Sequence, residues 1–325
     1  MKINRRRFSA LAMSLAAFGM SGGPVLAQDD WPADAITVVV AYPAGGGTDT
    51  AIRAMTEIVT EELGQPILVQ NVGGAGGGVA ASQVARENAD GYTLLATNST
   101  SITLAPLVQK GLYDMDSFDH VAILGDFQNA IFTGPDQPYN TLDELIETVK
   151  SEGRAMTYAS QLAIDRLLMH YIAKERDFEL RPVPVNGGSG AVQAVLAGDV
   201  DVAFSGGSWR PIVEAGDAKS LFAASYDRLK VAPDLTSMKD LEFEFGVTSR
   251  ISLHAPAGVP AERLEKISAA FGKAVNGEMA QRVGEKRSMD MTFRGYDEAG
   301  KLMQQERETY EHILDAVGPE TLKGQ

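Results

Sequence analysis

"VVVAYPAGGGTDTAIRAM" (residues 38–55) runs from consecutive valines through three glycines into a helical apolar pattern. Val38–Val40 predicts a strand buried on both faces, because an unbroken β-branched run leaves no polar side for solvent. Pro43 ends that strand, and Gly45, Gly46 and Gly47 permit a turn that side chains would obstruct. Thr48 or Asp49 is then expected to cap a helix whose apolar face includes Ile52, Met55 and Val59. The free N–H groups and positive dipole end of such a helix favour an anion. A tight strand-to-helix turn with no ligand accounts for the same residues, and this stretch alone leaves both readings open.

The alternation continues outward from it. "PILVQN" (66–71) and "YTLLAT" (92–97) read as strands, with a glycine-rich segment and a helix between them. Strands separated by helices imply βαβ units and largely parallel sheets, an α/β fold. Around residues 119–133, two strand-like runs meet at Gly125, and Thr141 and Glu144 form a capping box for the helix "TLDELIETVK". A second series follows: "AMTYAS", the helix "QLAIDRLLMHYIAKE", "RPVPV", the helix "GAVQAVLAG" and "VDVAFS". "RISLHAPAGVP" supplies a further strand, and Pro260 opens a helical C-terminal region. The pattern predicts two α/β lobes, the first completed by the C-terminal helices.

The N-terminus addresses the chain for export. Lys2 and Arg5–Arg7 precede an apolar run from Leu11 to Met20, then small residues and Val25-Leu26-Ala27. That order is a secretory signal too short to span a membrane, with cleavage expected after Ala27. The arginines suit general or twin-arginine export alike. Losing Lys2, Arg5, Arg6 and Arg7 takes the formal charge from −14 to −18. So acidic a surface argues against nucleic acid or an anionic membrane as partner. The absence of cysteine excludes disulfides, thiol nucleophiles and thiolate metal sites.

Residues 45–50 and 74–79 both fail the dinucleotide glycine pattern at its last position, and no phosphate loop is present. "NGGSGA" misses the nucleophile elbow because Ala191 stands where glycine is required. His120, His170, His254 and His312 lack metal-ligand spacing. No nucleophile, base and orienter set emerges, so the chain reads as a binder with no catalytic residues, cofactor or metal.

From Trp31 onward the chain resembles the solute-binding proteins of tripartite tricarboxylate transporters, the Bug family of extracytoplasmic receptors. The resemblance rests on "ITVVVAYPAGGGTD" (36–49), "NVGGAGGGVAASQVARENADGYTLLATNST" (71–100), "VPVNGGSGAVQAVLAGDVDVAF" (183–204) and "LHAPAGVPAERLEKI" (253–267). It implies a periplasmic-binding-protein fold, two α/β lobes joined by two crossing strands with a ligand cleft between them. On that pattern residues 28–126 and 248–325 form the first lobe and residues 127–247 the second, with crossings near Gly125–Asn129 and Phe245–Ile251. The implied ligand is a small carboxylate, di- or tricarboxylate-like, delivered by a monomeric receptor to the membrane subunits of a tripartite tricarboxylate transporter. A sensing receptor and an exported enzyme are the alternatives.

Carried over by position, the first lobe offers Tyr42, Gly45, Gly46, Gly47, Thr48, Asp49, Asn98 and Ser99 to the ligand. The second offers Ser160, Asn186, Gly187, Gly188, Phe204 and Ser205. Within the first set, Asp49 is expected to hold its helix and face away from an anion, while Gly45–Gly47 bare their N–H groups to a carboxylate. One segment departs from the family pattern. After "TYAS" the family has a small, glycine-rich stretch, whereas this chain has "QLAIDRLLMH" with Gln161, Asp165 and Arg166. Trp209 and Arg210 also fall close to the expected cleft.

Overall fold

The valine run becomes β1 (Ile36–Val40) in the computed structural model, which describes residues 31–109, 111 and 113–318. The export signal expected over residues 1–27 lies outside the described residues. The glycines lead into α1 (Gly47–Leu63), which buries Ala51, Ile52, Met55, Val59 and Leu63 as its spacing predicts. Gly64 stops it with φ 70°, a left-handed conformation that favours glycine. The expected cap differs: Gly46 is the N-cap residue and no side chain caps it. Next come β2 (Ile67–Asn71), α2 (Gly78–Val84) and β3 (Thr93–Asn98). Two short helices, α3 (Thr100–Thr103) and α4 (Ala105–Val108), precede β4 (Phe118–Phe127).

The second series is β5 (Ala130–Thr133), α5 (Leu142–Ser151), β6 (Met156–Ser160), α6 (Ala163–Arg176) and β7 (Leu180–Pro184). It continues through α7 (Gly187–Leu196), β8 (Val202–Ser205), α8 (Trp209–Glu214) and β9 (Lys219–Ala223). At the head of α5 the Thr141 hydroxyl accepts the Glu144 N–H at 3.2 Å, while the Glu144 carboxylate reaches back to the Asn140 N–H at 2.6 Å. The chain then returns as β10 (Arg250–Pro256), α9 (Ala261–Val275), α10 (Glu278–Arg287), β11 (Met289–Asp290) and α11 (Tyr296–Val317).

Two sheets result, six strands in the order β11-β4-β10-β3-β1-β2 and five in the order β7-β6-β8-β5-β9. β2-β1-β3 and β7-β6-β8 are parallel, as alternating strands and helices require. The strands next to the crossings run against them: β10 is antiparallel to β3, and β5 is antiparallel to β8.

Gly125 does not separate two strands, as its place between strand-like runs suggested. It lies inside β4, where a Cβ would sit 2.8 Å from the Asp290 carbonyl oxygen of β11. The chain leaves the first sheet at Gln128-Asn129 and comes back beside it, with the Phe127 N–H donating to the Ser249 carbonyl at 2.9 Å. α11 spans the two cores. Ala299 and Met303 pack with Val39 and Ile123 of the first sheet, while Tyr310, Ile313 and Leu314 pack with Ile131, Tyr158 and Phe204 of the second.

Candidate functional site

In each sheet the strand order reverses beside the first strand of the parallel trio, so β1 and β3, and likewise β6 and β8, feed opposite directions. Open α/β sheets bind ligands beyond the strand C-terminal ends at such a switch point. Here the two switch points face one another. Gly47 follows β1, Asn98 ends β3, Gln161 and Leu162 follow β6, and Gly206–Ser208 follow β8; together they line a cavity of about 230 Å³. Phe127, Asn129 and Ser249, from the two crossing segments, line it too. Asn129 is 1 % exposed, and its amide nitrogen donates to the Ser249 hydroxyl at 3.2 Å, tying one crossing to the other.

Five of the residues expected at the site line this cavity: Gly47, Asn98, Gly188, Phe204 and Ser205. Tyr42, Gly45, Gly46, Thr48, Asp49, Ser99, Ser160, Asn186 and Gly187 are not in the lining, and some of them hold the loops that are. The Tyr42 hydroxyl lies 3.0 Å from Ser101 Oγ and accepts the Asn98 N–H at 3.2 Å, which positions Asn98. Asn98 Oδ1 accepts from the Thr100 N–H at 3.2 Å and hydroxyl at 3.1 Å, turning its amide donor outward. Ser99 is fully buried and its hydroxyl accepts the Arg250 N–H at 3.0 Å. Asn186 and Gly187 are exposed at the start of α7, and Thr48 is buried.

The three glycines do not form an even cradle. Gly45, at φ 81°, donates its N–H to Asp49 Oδ2 at 2.8 Å, and Gly46 donates to the Pro43 carbonyl at 3.3 Å. Gly47 opens α1, so its N–H has no partner within the helix, as at any helix start. Asp49 also accepts from Arg53 Nε and Asn71 Nδ2, each at 2.9 Å. Burial pushes its carboxyl up, but the Gly45, Asn71 and Arg53 donors outweigh that and leave its pKa below the ordinary value. It stays ionised, turned into its own lobe.

The unfamiliar stretch after β6 repeats this device. Asp165 stands at the third position of α6, as Asp49 does in α1, and Oδ2 accepts the Gln161 N–H at 2.9 Å and the Leu162 N–H at 2.6 Å. It is fully buried, and desolvation raises its pKa to about 7 against those hydrogen bonds and the nearby Arg166 charge. Ser160, 2 % exposed, has a hydroxyl with no hydrogen-bond partner among the described residues. Gln161 Nε2 donates to the Phe204 carbonyl at 2.7 Å, joining the β6 and β8 ends.

Three side chains near the cleft take separate roles. Trp209 is 2 % exposed and anchors α8 by donating to the Gln128 carbonyl at 2.7 Å, away from the cavity lining. Arg210 pairs with Glu214 at 2.7 Å along α8. The cation of the small cavity is Arg287, from the end of α10, whose Nη2 donates to the Gly45 carbonyl at 2.9 Å. It sits in a polar helix 240 residues from the glycine turn, and no local pattern marks it. Gln161 and Leu162 carried a signal, since they open the stretch that breaks the family pattern.

Behind the crossings lies a buried ion network. Arg250 of β10 pairs with Asp126 of β4 at 3.3 Å and with Glu306 of α11, and Arg294 pairs with Asp126. Burial works against the Arg250 charge, but Glu306 and Asp126 outweigh it and keep it ionised.

Residues 51–318 match the family model described as Tripartite tricarboxylate transporter family receptor. The chain is 30 % identical over 281 residues to the "UPF0065 protein in gbd 5'region" of Cupriavidus necator, covering 84 % of this chain and 86 % of that relative. The structure of MatC from Rhodopseudomonas palustris with bound malate superposes with a TM-score of 0.71 at 26 % identity, covering 88 % of this chain and 99 % of that one. The periplasmic binding protein BugD gives 0.74 at 23 % identity over 89 % and 99 %.

Proposed function

Since this chain belongs to the family of tripartite tricarboxylate transporter receptors, we propose that it captures a small carboxylate in the periplasm and delivers it to the membrane subunits of such a transporter. One observation carries the reading: two facing switch points enclose a cavity lined by an arginine, amides, hydroxyls and the opening N–H of a helix, with no acidic side chain in the lining among the described residues. In a chain with 43 acidic residues, that exclusion is what an anionic ligand requires. A solved relative that holds malate supports the ligand class.

Gly47, Asn98, Gln161, Ser205, Ser249 and Arg287 are the groups within the lining that this reading assigns to the ligand. Residues 28–126 and 248–325 make the first lobe and residues 127–247 the second, with α11 strapped across both. The signal is removed after Ala27, and the receptor acts as a monomer that makes or breaks no bond. Native mass spectrometry of gently purified protein, followed by calorimetry with a panel of carboxylates, tests the function. A co-purified acid that binds one to one is the expected result; a panel in which no carboxylate binds overturns it. N-terminal sequencing of periplasmic protein should begin at Gln28, and membrane-bound material starting at Met1 would reject the export step.

A further inference from the structure

Three buried oxygens behind the cavity wall have no hydrogen-bond partner among the described residues: Tyr158 Oη, Ser160 Oγ and Asp165 Oδ1. Each belongs to a residue no more than 2 % exposed. Tyr158 and Ser160 alternate along β6 and so share the face that α6 covers, where Tyr158 packs with Ile164 and Leu167. Burial, and then the Asp165 charge, push the Tyr158 phenol up, while the Ser160 hydroxyl pulls it down, which puts the three groups in one polar spot. The other Asp165 oxygen, Oδ2, holds the Gln161 and Leu162 N–H groups, and those two residues line the candidate cavity. A buried carboxyl thus stands one hydrogen bond behind the wall that meets the ligand. Arg166 follows it on α6, Tyr158 faces it from β6, and His170, further along α6, sets its ring edge-on to Tyr158 with centroids 6.5 Å apart. β7 and α11 add Leu180 and Tyr310 to the same core, and the Tyr310 hydroxyl is committed to the Thr248 carbonyl.

A proton on Asp165 Oδ1 turns an unpartnered acceptor into a donor, with two hydroxyl oxygens to receive it. A negative charge entering the cavity favours that protonated form, because like charges held close together do not both stay ionised. We propose that capture of an anion in the cleft is coupled to uptake of a proton by Asp165, which acts as a positioning residue for the Gln161–Leu162 wall and senses the ligand's charge through it. The proton comes from solvent as the carboxylate becomes a carboxyl, and it returns there when the ligand leaves. The inference rests on the proposed function and adds a proton to its equilibrium. It also gives a role to the segment where this chain departs from its family's pattern. Burial sets the Asp165 pKa at about 7, so the uptake falls in the neutral range.

Calorimetry with malate, fumarate and acetate, which are ionised above about pH 6 and bring no proton of their own, tests it. If the ligand charge moves Asp165 by one pH unit, affinity should fall about tenfold from about pH 6 to pH 9, with roughly half a proton taken up near pH 7.5. Uptake is read as a binding enthalpy that changes with the ionisation enthalpy of the buffer. Asp165→Asn keeps an oxygen for the two N–H groups and places an amide donor where the proton would sit. It should bind at about pH 9 as tightly as the unaltered protein does at pH 6, with no proton uptake. Asp165→Ala, which lacks that oxygen, should bind more weakly at every pH. Infrared difference spectra of the unaltered protein should gain a protonated-carboxyl band on ligand addition, a readout that does not depend on any variant folding. Binding without proton uptake, the same uptake in Asp165→Asn, or no such band overturns the inference and leaves carboxylate capture standing. Failure of every acid to bind overturns both.

Discussion

Asp49 and Asp165 occupy the same position in two helices and accept the same kind of N–H, yet their carboxyls shift in opposite directions. The difference lies in what answers the charge. Asp49 has Arg53 and Asn71 as well as Gly45, whereas one oxygen of Asp165 is buried without a partner. For Asp165, the folded value near 7 lies above the 3.8 of an unperturbed carboxyl. Between those values the folded chain keeps a proton that the unfolded chain has released, so stability falls as pH rises from about 4 to about 7 and is level above. Asp165→Asn should flatten that part of the profile, which urea unfolding at pH 5 and pH 8 will show; equal slopes for the two proteins would contradict it. Asp49 runs the other way, contributing above its depressed pKa and losing that contribution as pH falls through it. Asp49→Ala should cost about 1–3 kcal/mol at neutral pH, read as a lower urea midpoint, because the Gly45 N–H and Arg53 lose a charged partner.

Among the elements, α11 carries most of the consequence. Its Glu306 is buried against Arg250 and the Thr103 hydroxyl, and Tyr310 donates to the Thr248 carbonyl of the return crossing. Glu306→Gln leaves Arg250 with Asp126 alone. Removing one member of a buried ion pair costs about 3–5 kcal/mol, and the surviving carboxylate should hold the loss near the lower end, measurable as a drop in Tm. The parallel trios were legible in the sequence because β-branched runs and helical stripes have different periods, as in Val38–Val40 against Ile52, Met55 and Val59. The antiparallel crossings were not, since a strand's direction depends on which sheet it rejoins. Gly125 misled for a physical reason: it accommodates the approach of β11 rather than a turn. The site was half legible. Its loops follow strands that can be read locally, whereas Arg287 reaches Gly45 only through the tertiary fold.

At the scale of the molecule, the lobes meet where Gly207 faces the end of α10. A Cβ on Gly207 would lie 2.4 Å from the Arg287 carbonyl oxygen, so a side chain there forces the Gly207 loop or the end of α10 to shift. Two lobes on paired crossings suit hinge closure around a ligand. Gly207→Ala should therefore weaken carboxylate binding and reduce the ligand-induced fall in radius of gyration seen by small-angle scattering. Compaction equal to that of the unaltered protein would show that the contact is irrelevant to closure. The bond from the Trp209 indole to the Gln128 carbonyl has a practical consequence as well. The chain has two tryptophans, Trp31 packed in the first core and Trp209 tied to the crossing of the second. Intrinsic emission thus carries one stationary lamp and one mounted on the hinge. A ligand-dependent spectral shift should survive Trp31→Phe and vanish in Trp209→Phe, giving this receptor a label-free optical signal of occupancy.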